Sequence, residues 1–572
     1  MSTTTHRRSR LSRRLPAAPQ EPDQLRTTTA IGAQRFLPLS DLLVLEILVA
    51  AGVLLALPLG EPAWRGAAVG FAVALLLVTR VRGTTLPGLI RLRVGYLWDQ
   101  HRRARAQQPA DPFDVTASDG EQIGFRWDGT TLLSLLEIDE NPQAMTVLEP
   151  GTTVSGEVVP VQALVECLRQ FDITLDSIDI ISQGARSQGR TNVAAVYDAV
   201  LGPLPAIAQR TVWIAVRFDP SQCAEAVRRR GGGHDGILRA AATATRRVAN
   251  RLTEAGLRPR ILTASGIAHA TNQLSDGVAL GTVDESWETC REGHFRLCSF
   301  AIEPEMLTTA GLGVLWTIPS YSTTVCLSLR EDVDDDTIKI RGLARFDSDV
   351  SVPVDLPGLI HLRGLQFSAL ACSLPIPRPT RPVGHWAYGD RTSGLHDLAV
   401  PASGCGQVIG ADEAGRAVAL PLFGPQVNRV EICGTLHLAQ QAVLRSLALG
   451  ARVLVHSRRP GLWRDMVEQV GRHDLLWVAE FNRGAIQASS DRDYSVEMFD
   501  GVAESTVRAG VTSMVVAPPK SAVTPNADVA LELVSLANAT VLVSTKAGSA
   551  VVTMVATDEE MRYIRASANR AD

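Results

Sequence analysis

Two long apolar runs near the N-terminus constrain the fold of this chain more than any other feature. Residues 42–59 read LLVLEILVAAGVLLALPL, and residues 63–79 read AWRGAAVGFAVALLLVT. Each run is close to the roughly 17–20 residues that cross a hydrocarbon core. Only the tripeptide GEP separates them, which is too short for a folded loop. The sequence therefore predicts a transmembrane helical hairpin over residues 37–80, with both of its ends on one side of the membrane.

Arginines flank both ends of this hairpin. Residues 1–36 carry seven arginines against two acidic residues, and residues 80–105 carry seven against one. Because basic flanks stay in the cytoplasm, we expect an inner-membrane protein with two spans and cytoplasmic termini. Residues 1–36 are rich in Thr, Arg and Pro and are predicted to be a disordered tail. A buried helical hairpin of a soluble domain is the alternative, because Glu46 and Arg65 interrupt the runs.

Small residues and one carboxylate in the runs suggest contacts with other helices. Glu46 lies about one turn inside the first run, where a charge facing lipid costs on the order of 2.5–3.5 kcal/mol, so we expect it to meet a partner helix or the interface. Gly52, Gly66, Ala67 and Gly70 would let neighbouring spans approach closely. These features predict assembly with other membrane subunits.

The remaining sequence predicts an α/β protein in several units. Residues 81–111 read as a basic juxtamembrane helix and linker suited to lie along anionic headgroups. Alternating strand and helix patterns over 112–374 predict a cytosolic α/β domain. Residues 375–384 form a proline-rich linker, and residues 385–572 a C-terminal α/β domain. Its continuous apolar strands, separated by helices, favour a largely parallel sheet.

Composition and spacing exclude several classes of function. The balance of 56 basic against 60 acidic side chains gives no overall bias toward nucleic acid. Eight cysteines without a C-x-x-C pair favour buried thiols over a disulfide framework or zinc knuckle. The eleven histidines contain no H-x-x-x-H pair, and the acidic run 331–336 lacks the spaced ligands of a calcium loop. We therefore assign no catalytic, cofactor-binding or metal-binding residue.

The strand RVEIC and the turn after it are where an α/β fold would hold a nucleotide. A phosphate-binding loop places four residues and then Gly-Lys-Ser/Thr after its first glycine. After Gly434 those positions hold Ala439, Gln440 and Gln441, so the phosphate-binding lysine and the magnesium-binding hydroxyl are both missing. The sequence thus favours a degenerate or unrelated turn over an ATPase site.

The stretch RRRGGGHDG at residues 228–236 is the other candidate for a functional site. Its glycines lead into a predicted helix, whose free N–H groups attract anions, and its arginines would add to that attraction. His234 and Asp235 are sequence neighbours, a spacing that does not itself build a proton relay. Three interpretations stay open: a loop and helix start, a docking surface for an acidic partner or headgroup, and a catalytic element.

Four blocks of sequence follow the predicted two-span hairpin, at residues 111–138, 170–186, 197–220 and 228–257. Their most specific segments are LGPLPAIAQR and RGGG. In this order, the blocks resemble the EccE family of the ESX, or type VII, secretion systems of mycobacteria and related actinobacteria. The long arginine-rich tail and the extent of the last unit depart from the shorter members of the family.

The resemblance implies a non-catalytic structural and assembly subunit of an inner-membrane secretion complex. EccE-like proteins are expected to lie beside subunits of the EccB, EccC and EccD type, with EccC as the motor ATPase. Membrane lipids and a large oligomeric complex are the other partners that the resemblance implies, and no cofactor is expected. The alternative from the residues themselves is a membrane-tethered enzyme that binds a nucleotide-sugar or another phosphate ligand in its α/β units.

Overall fold

A computed structural model provides the fold of this chain. It describes the following residues: 25–27, 39–58, 60–78, 80–81, 84–103, 110–117, 120–141, 145–149, 152–188, 191–202, 204–293, 295–332, 337–348, 356–379, 381–391, 395–424, 426–479 and 494–568. Two large β-sheets with helices packed on them make up a mixed α/β fold.

The first sheet is antiparallel throughout. Its long strands carry buried side chains on both faces, because helices cover both faces of the sheet. In strand Gln209–Phe218, for example, Ile214 packs in one core and Trp213 in the other. The main path of this 14-stranded sheet runs, in spatial order, through Asp284–Glu285, Cys290–Glu292, Phe295–Ile302, Thr337–Asp347, Ser322–Glu331, Ser177–Ala185, Gln209–Phe218, Leu132–Ile138, Gln122–Trp127 and Phe113–Thr116. Arg26–Thr27, Pro259–Ile261, Leu359–His361 and Ala387–Asp390 pair at its margins.

Helices cover the two faces of the first sheet. Gly233–Glu254 buries an alanine-rich stripe with Val248 and Leu252 against one face, while Ala264–Leu274 and Gln366–Cys372 pack on the other. Small side chains on that stripe let the long helix lie close to the strands. The remaining helices of this region are Val161–Glu166, Asn192–Leu201, Ala224–Arg229 and Thr309–Leu315, with a 3₁₀ turn at Pro304–Met306.

The second sheet has a parallel half and an antiparallel half. The predicted parallel sheet thus accounts for only part of it. The parallel strands are, in spatial order, Leu476–Ala479, Val453–Ser457, Val496–Asp500, Thr512–Ala517, Arg429–Cys433 and Val529–Ser535. The antiparallel strands continue it as Thr540–Thr545, Ser549–Met554, Gln407–Ala411, Ala417–Leu420, Thr146–Glu149 and Thr152–Ser155. Leu436–Ala448, Arg464–Val470, Asp558–Ala568 and the 3₁₀ turn Pro460–Leu462 pack on it.

Chain segments cross between the two sheets. Strands Thr146–Glu149 and Thr152–Ser155 belong to the second sheet although they precede most of the first. Helix Asn192–Leu201 packs on helix Leu436–Ala448, and the hydroxyl of Tyr197 accepts a hydrogen bond from the Val408 amide at 2.9 Å. The two sheets are therefore joined by backbone and by packing.

The proline-rich segment 373–384 is docked on the first sheet. The Arg217 guanidinium donates to the Ile376 carbonyl at 3.0 Å, and its Nε lies 2.9 Å from Asp179 Oδ2. Arg378 from the segment completes a buried cluster with Asp179 and Asp176. Burial alone would raise the pKa of Asp179, but the guanidinium groups of Arg378 and Arg217 hold that pKa well below its usual value.

The predicted transmembrane hairpin is wrong. Both apolar runs form helices, Leu39–Ala56 and Ala63–Val78, and these pack along each other. Yet within the described residues no helix is long and apolar enough to cross a membrane. At about 1.5 Å per residue, the 16 residues of the second helix span only about 24 Å, short of a core of about 30 Å. The first helix includes Asp41 and Glu46, and Glu46 is exposed.

The small residues of the hairpin pack on each other, which corrects their predicted role against neighbouring spans. A Cβ on Gly52 would collide with the carbonyl oxygen of Gly66, and one on Gly70 with the carbonyl oxygen of Leu48. Glycine at these positions allows close approach of the two backbones. The close contact is therefore internal to the helical hairpin.

The third helix, Leu86–Arg103, docks on the first sheet through one face. Tyr96 is buried, and its hydroxyl donates to the Glu285 carbonyl at 2.8 Å. Arg381 Nη1 lies 2.8 Å from Asp99 Oδ2. Other side chains of this helix remain exposed, including Leu89, Ile90, Val94 and Leu97.

Candidate functional site

The carboxyl end of the parallel strands is the place where an α/β sheet usually binds a ligand. Strand Arg429–Cys433 leads through its helix to Val453–Ser457, which lies three places away on one side. Thr512–Ala517 leads instead to Val529–Ser535, on the other side of Arg429–Cys433. Connections that leave in opposite directions open a crevice beyond the strand ends. Gly434 and the start of helix Leu436–Ala448 lie at this crevice.

Side chains of the protein itself fill the turn after Gly434. A Cβ on Gly434 would come within 2.9 Å of Leu438 Cδ2 and 3.3 Å of Leu533 Cβ. The Thr435 side chain caps the helix by accepting from the Leu438 amide at 3.4 Å. Apolar side chains thus crowd the Cβ side of Gly434, close to where a phosphate-binding loop would need open space.

The residues in place of the phosphate-loop lysine and hydroxyl point into the core. Ala439, Gln440 and Gln441 are all buried. Gln440 Nε2 donates to the Leu462 carbonyl at 2.9 Å, and Gln441 Nε2 donates to the Val555 carbonyl at 3.2 Å. These side chains therefore hold the neighbouring elements together.

Asp500, which sequence reasoning missed, ends the parallel strand Val496–Asp500 at the same edge and is buried. Its carboxylate accepts from Ser457 Oγ at 2.7 Å and from Trp463 Nε1 at 3.1 Å. Arg459 Nη2 also donates to the Oδ1 atom of Asp500, at 2.9 Å. A carboxylate at this position in phosphoryl-transfer enzymes holds magnesium, but here hydrogen bonds from the protein surround it. An apolar run ending in Asp-Gly, MFDG, is the signal that could have identified it.

The RRRGGGHDG stretch forms a sharp turn between two helices. Gly231, Gly232 and Gly233 all have positive φ, at 107°, 68° and 57°, and helix Gly233–Glu254 begins there. Arg228 and Arg229 pair with Glu225 one turn earlier on their own helix. With the glycines forming the turn and two of the arginines paired on their own helix, this geometry favours the loop and helix start among the three interpretations.

Arg230 differs from its two neighbours because it reaches a residue far away in the sequence. Its guanidinium forms a two-pronged pair with Asp172, with Nη1 at 2.7 Å from Oδ2 and Nη2 at 3.1 Å from Oδ1. The hydrogen bond from Arg230 holds the pKa of Asp172 below its usual value. This pair fixes the turn to the short β-hairpin formed by strands Arg169–Gln170 and Ile173–Thr174, in which Asp172 lies at the turn.

Other sequence candidates are also accounted for. Across the described residues, no group of three His, Cys, Asp or Glu side chains is placed to hold a metal ion. All eight cysteines are free; Cys298 is half-buried and the others are buried. In the acidic run, Glu331 pairs with Arg391 at 2.5 Å and Asp332 with Lys339 at 2.6 Å, while residues 333–336 lie outside the described residues.

Comparison with known proteins identifies the relatives of this chain. Residues 206–302 match a family model described as "Putative type VII ESX secretion system translocon, EccE". The ESX-1 secretion system protein EccE1 of Mycolicibacterium smegmatis is 30% identical over 201 residues. The ESX-5 protein EccE5 of Mycobacterium marinum is 26% identical over 334 residues, and the ESX-2 protein EccE2 of Mycobacterium tuberculosis is 26% identical over 339.

The chain is thus similar to EccE proteins of several ESX secretion systems, and residues 206–302 carry the match to the EccE model. The alignments with EccE1, EccE5 and EccE2 cover 34%, 55% and 59% of this chain and 42%, 80% and 60% of those relatives, respectively. This chain therefore spans less than half of the EccE1 protein that it matches. The resemblance predicted from the sequence blocks is confirmed.

The EccE-matching region lies within the first sheet and its helices. It includes strand Gln209–Phe218, helices Gly233–Glu254 and Ala264–Leu274, and strand Phe295–Ile302. The RRRGGGHDG turn is inside this region, whereas Gly434 and Asp500 are outside it. The part of the chain that carries the family match is thus distinct from the parallel sheet edge.

Proposed function

We propose that this EccE-family chain is a non-catalytic structural subunit of an inner-membrane type VII secretion complex. The match of residues 206–302 to the EccE model is the observation that carries the proposal. The three relatives named above are described as proteins of the ESX-1, ESX-5 and ESX-2 secretion systems. We expect its partners to be components of the EccB, EccC and EccD type within a large oligomeric complex.

The carboxyl end of the parallel sheet supports the non-catalytic part of this proposal. Leu438 and Leu533 crowd the turn at Gly434, and Arg459 engages the buried Asp500. Catalysis of phosphoryl transfer depends on charges positioned around an open phosphate site. An edge closed by its own side chains suits a structural role, with energy supplied by another subunit.

The N-terminal helices supply a surface suited to assembly. Ile47, Leu54 and Leu55 on the first helix and Val69 on the second each expose more than 60% of their surface. An exposed apolar patch of this kind marks an interaction site. We propose that neighbouring subunits of the complex, with membrane lipids around them, cover this patch.

Affinity purification of the tagged full-length protein from gently solubilised cells tests the proposal. We expect recovery in a very large particle that contains EccB-, EccC- and EccD-type subunits by mass spectrometry. Recovery of the protein alone, or as a small oligomer, would contradict a role as a subunit of the complex.

A matched pair of variants tests whether the apolar patch is the contact surface, separately from the assignment of the protein as a subunit of the complex. Leu54→Ser with Leu55→Ser should reduce recovery of the partners, because it removes apolar area from the patch. Leu536→Ser changes a similarly exposed leucine in the second sheet region and should leave recovery unchanged. Equal recovery with both variants would refute the patch as the contact while leaving the subunit assignment in place.

A further inference from the structure

Arg210 is a buried cation with no hydrogen-bonding or ion-pair partner among the residues that the structure describes. It is the second residue of strand Gln209–Phe218 and is only 5% exposed. Among the residues that the structure describes, none accepts a hydrogen bond from its guanidinium, and its Nε is buried with its hydrogen-bonding capacity unused. A buried charge without a partner is costly, so its retention calls for a physical reason.

Comparison with the other buried arginines shows that this is unusual for the protein. Each of them donates at least one hydrogen bond to a carboxylate, hydroxyl or carbonyl oxygen. They are Arg126, Arg186, Arg217, Arg341, Arg345 and Arg445.

An open cleft lies at the Arg210 side chain. One lobe of the cleft has a cavity volume of about 40 Å³, and a second lobe has one of about 20 Å³. Arg210, Pro205 and Pro401 line both lobes. The Arg210 Cζ lies 4.3 Å from the centroid of the Trp316 ring, so the indole holds one face of the guanidinium by a cation–π contact.

The walls of the cleft are mainly apolar in the lobe that contains Trp316, whereas the smaller lobe contains one acidic side chain, Glu157. The larger lobe is lined mainly by apolar side chains, among them Val158, Leu312, Trp316, Val325 and Val400. Glu157 lines the smaller lobe, where its Oε1 accepts from Asn141 Nδ2 at 2.9 Å and its Oε2 lies 3.7 Å from Arg258. A nearby carboxylate repels a ligand with two negative charges more strongly than one with a single charge.

We propose that this cleft binds a small organic carboxylate, with the carboxylate group on the Arg210 guanidinium and an apolar body against Val158, Leu312 and Val400. The planar fork of an arginine matches the two oxygens of a carboxylate. Apolar walls with one convergent charged group are the usual composition of a small-molecule site.

The buried neighbours of Arg210 do not neutralise its charge. Burial lowers the pKa of Arg210 to about 10, which still leaves the guanidinium protonated at neutral pH. Burial raises the pKa of the adjacent Cys405 thiol to about 12, so that thiol stays uncharged. The ligand would therefore supply the only negative charge in contact with the guanidinium among the groups described. Its binding is independent of the proposed role in secretion.

Calorimetric titration of the full-length protein with four probes tests the proposal. Hexanoate should bind saturably at millimolar concentrations. Hexanamide, which has the same body without the charge, and acetate, which has the charge without the body, should each bind at least about tenfold more weakly, as should inorganic phosphate. Absence of hexanoate binding, or tighter binding of hexanamide or phosphate, would overturn the proposal.

Three variants connect binding to the named residues. Arg210→Met should weaken hexanoate binding by at least about tenfold, since the charge-assisted hydrogen bonds are lost. Leu312→Trp should do the same by filling the apolar lobe while Arg210 stays in place, which covers the case in which the first variant does not fold. Arg230→Met removes a guanidinium paired elsewhere and should leave binding unchanged. Undiminished binding in folded Arg210→Met or Leu312→Trp protein would refute the site.

Discussion

The guanidinium of Arg459 lies alongside the carboxylate of Asp500, with Nε 3.2 Å from both oxygens and Nη2 2.9 Å from Oδ1. Asp500 is 1% exposed, whereas the Arg459 side chain is about one-third exposed. The pair joins the ends of two neighbouring parallel strands, because Ser457, at the end of the other strand, donates to the same carboxylate. The edge of the sheet is thereby held closed by a charge pair.

Removal of Arg459 should destabilise the protein, because it leaves Asp500 buried without a countercharge. For Arg459→Met we expect a loss of roughly 2–3 kcal/mol in the free energy of unfolding, below the usual range for fully buried pairs because Arg459 is partly exposed. Urea unfolding at neutral pH measures this loss. Arg458→Met, which changes the exposed neighbour, should alter the unfolding free energy by less than about 0.5 kcal/mol.

A second substitution checks the cause of that loss. Asp500→Asn removes the charge and keeps an oxygen to accept from Ser457, so combining it with Arg459→Met should restore part of the lost stability. If the two losses simply added, the buried charge would not be the reason for the effect.

Much of the local structure could be predicted from sequence patterns. The predicted strand RVEIC is present as Arg429–Cys433, and the predicted alternation of helices and apolar strands continues with Leu436–Ala448 and Val453–Ser457. Hydrophobic periodicity and capping residues act over a few positions, so a single sequence reveals them. The division into domains at residues 375–384 stays a prediction.

Long-range relationships could not be predicted in this way. Strand Thr146–Glu149 pairs with Ala417–Leu420, a partner far away in the sequence that no local pattern specifies. The apolar runs were predicted to span a membrane from their hydropathy, but no helix in the described part of the chain is long and apolar enough for this. Arg210 and Asp500 were missed because burial and partners, rather than residue type, distinguish them.

The turn at Gly232 should depend on its glycines and not on the exposed Arg228 and Arg229. Gly232 has φ 68° and ψ 177°, a conformation that is open essentially to glycine alone. Gly232→Ala should therefore cost about 1–3 kcal/mol of unfolding free energy. Arg228→Ala with Arg229→Ala should change it by less than about 1 kcal/mol, because both side chains are largely exposed. Urea denaturation of the two variants should give this order, and the reverse order would contradict a structural role for the turn.

Asp276 should make stability depend on pH. Burial raises its pKa to about 6, although Arg345 and a hydrogen bond from Ser322 act in the opposite direction. Because the folded-state pKa lies above the ordinary value of 3.8, the folded state binds this proton more tightly, and its contribution to stability is lost as pH rises from about 4 to 6.

Asp276→Asn should therefore be neutral near pH 4 and relatively stabilising by about 1–3 kcal/mol above pH 6. Asparagine tolerates the positive φ of 54° at this position and keeps an oxygen that can accept from Gln183 or Ser322. Urea unfolding across this pH range measures the difference. Asp172→Asn is the matched control, since its pKa is lowered by Arg230 and the sign of its effect should be opposite. A pH-independent difference for Asp276→Asn would contradict the assignment.

The helical hairpin should depend on the glycines at its crossing. A side chain on Gly66 would meet the carbonyl oxygen of Gly52 and the Ala56 Cβ, so Gly66→Leu should push the two helices apart at a cost of about 1–3 kcal/mol. We expect local opening near the connecting turn to increase about tenfold, and with it the rate of trypsin cleavage after the exposed Arg65. Ala68→Leu places the same side chain at an exposed position two residues later and should leave that rate unchanged. Equal cleavage rates for Gly66→Leu and the unmodified protein would mean that the glycine contact does not hold the hairpin together.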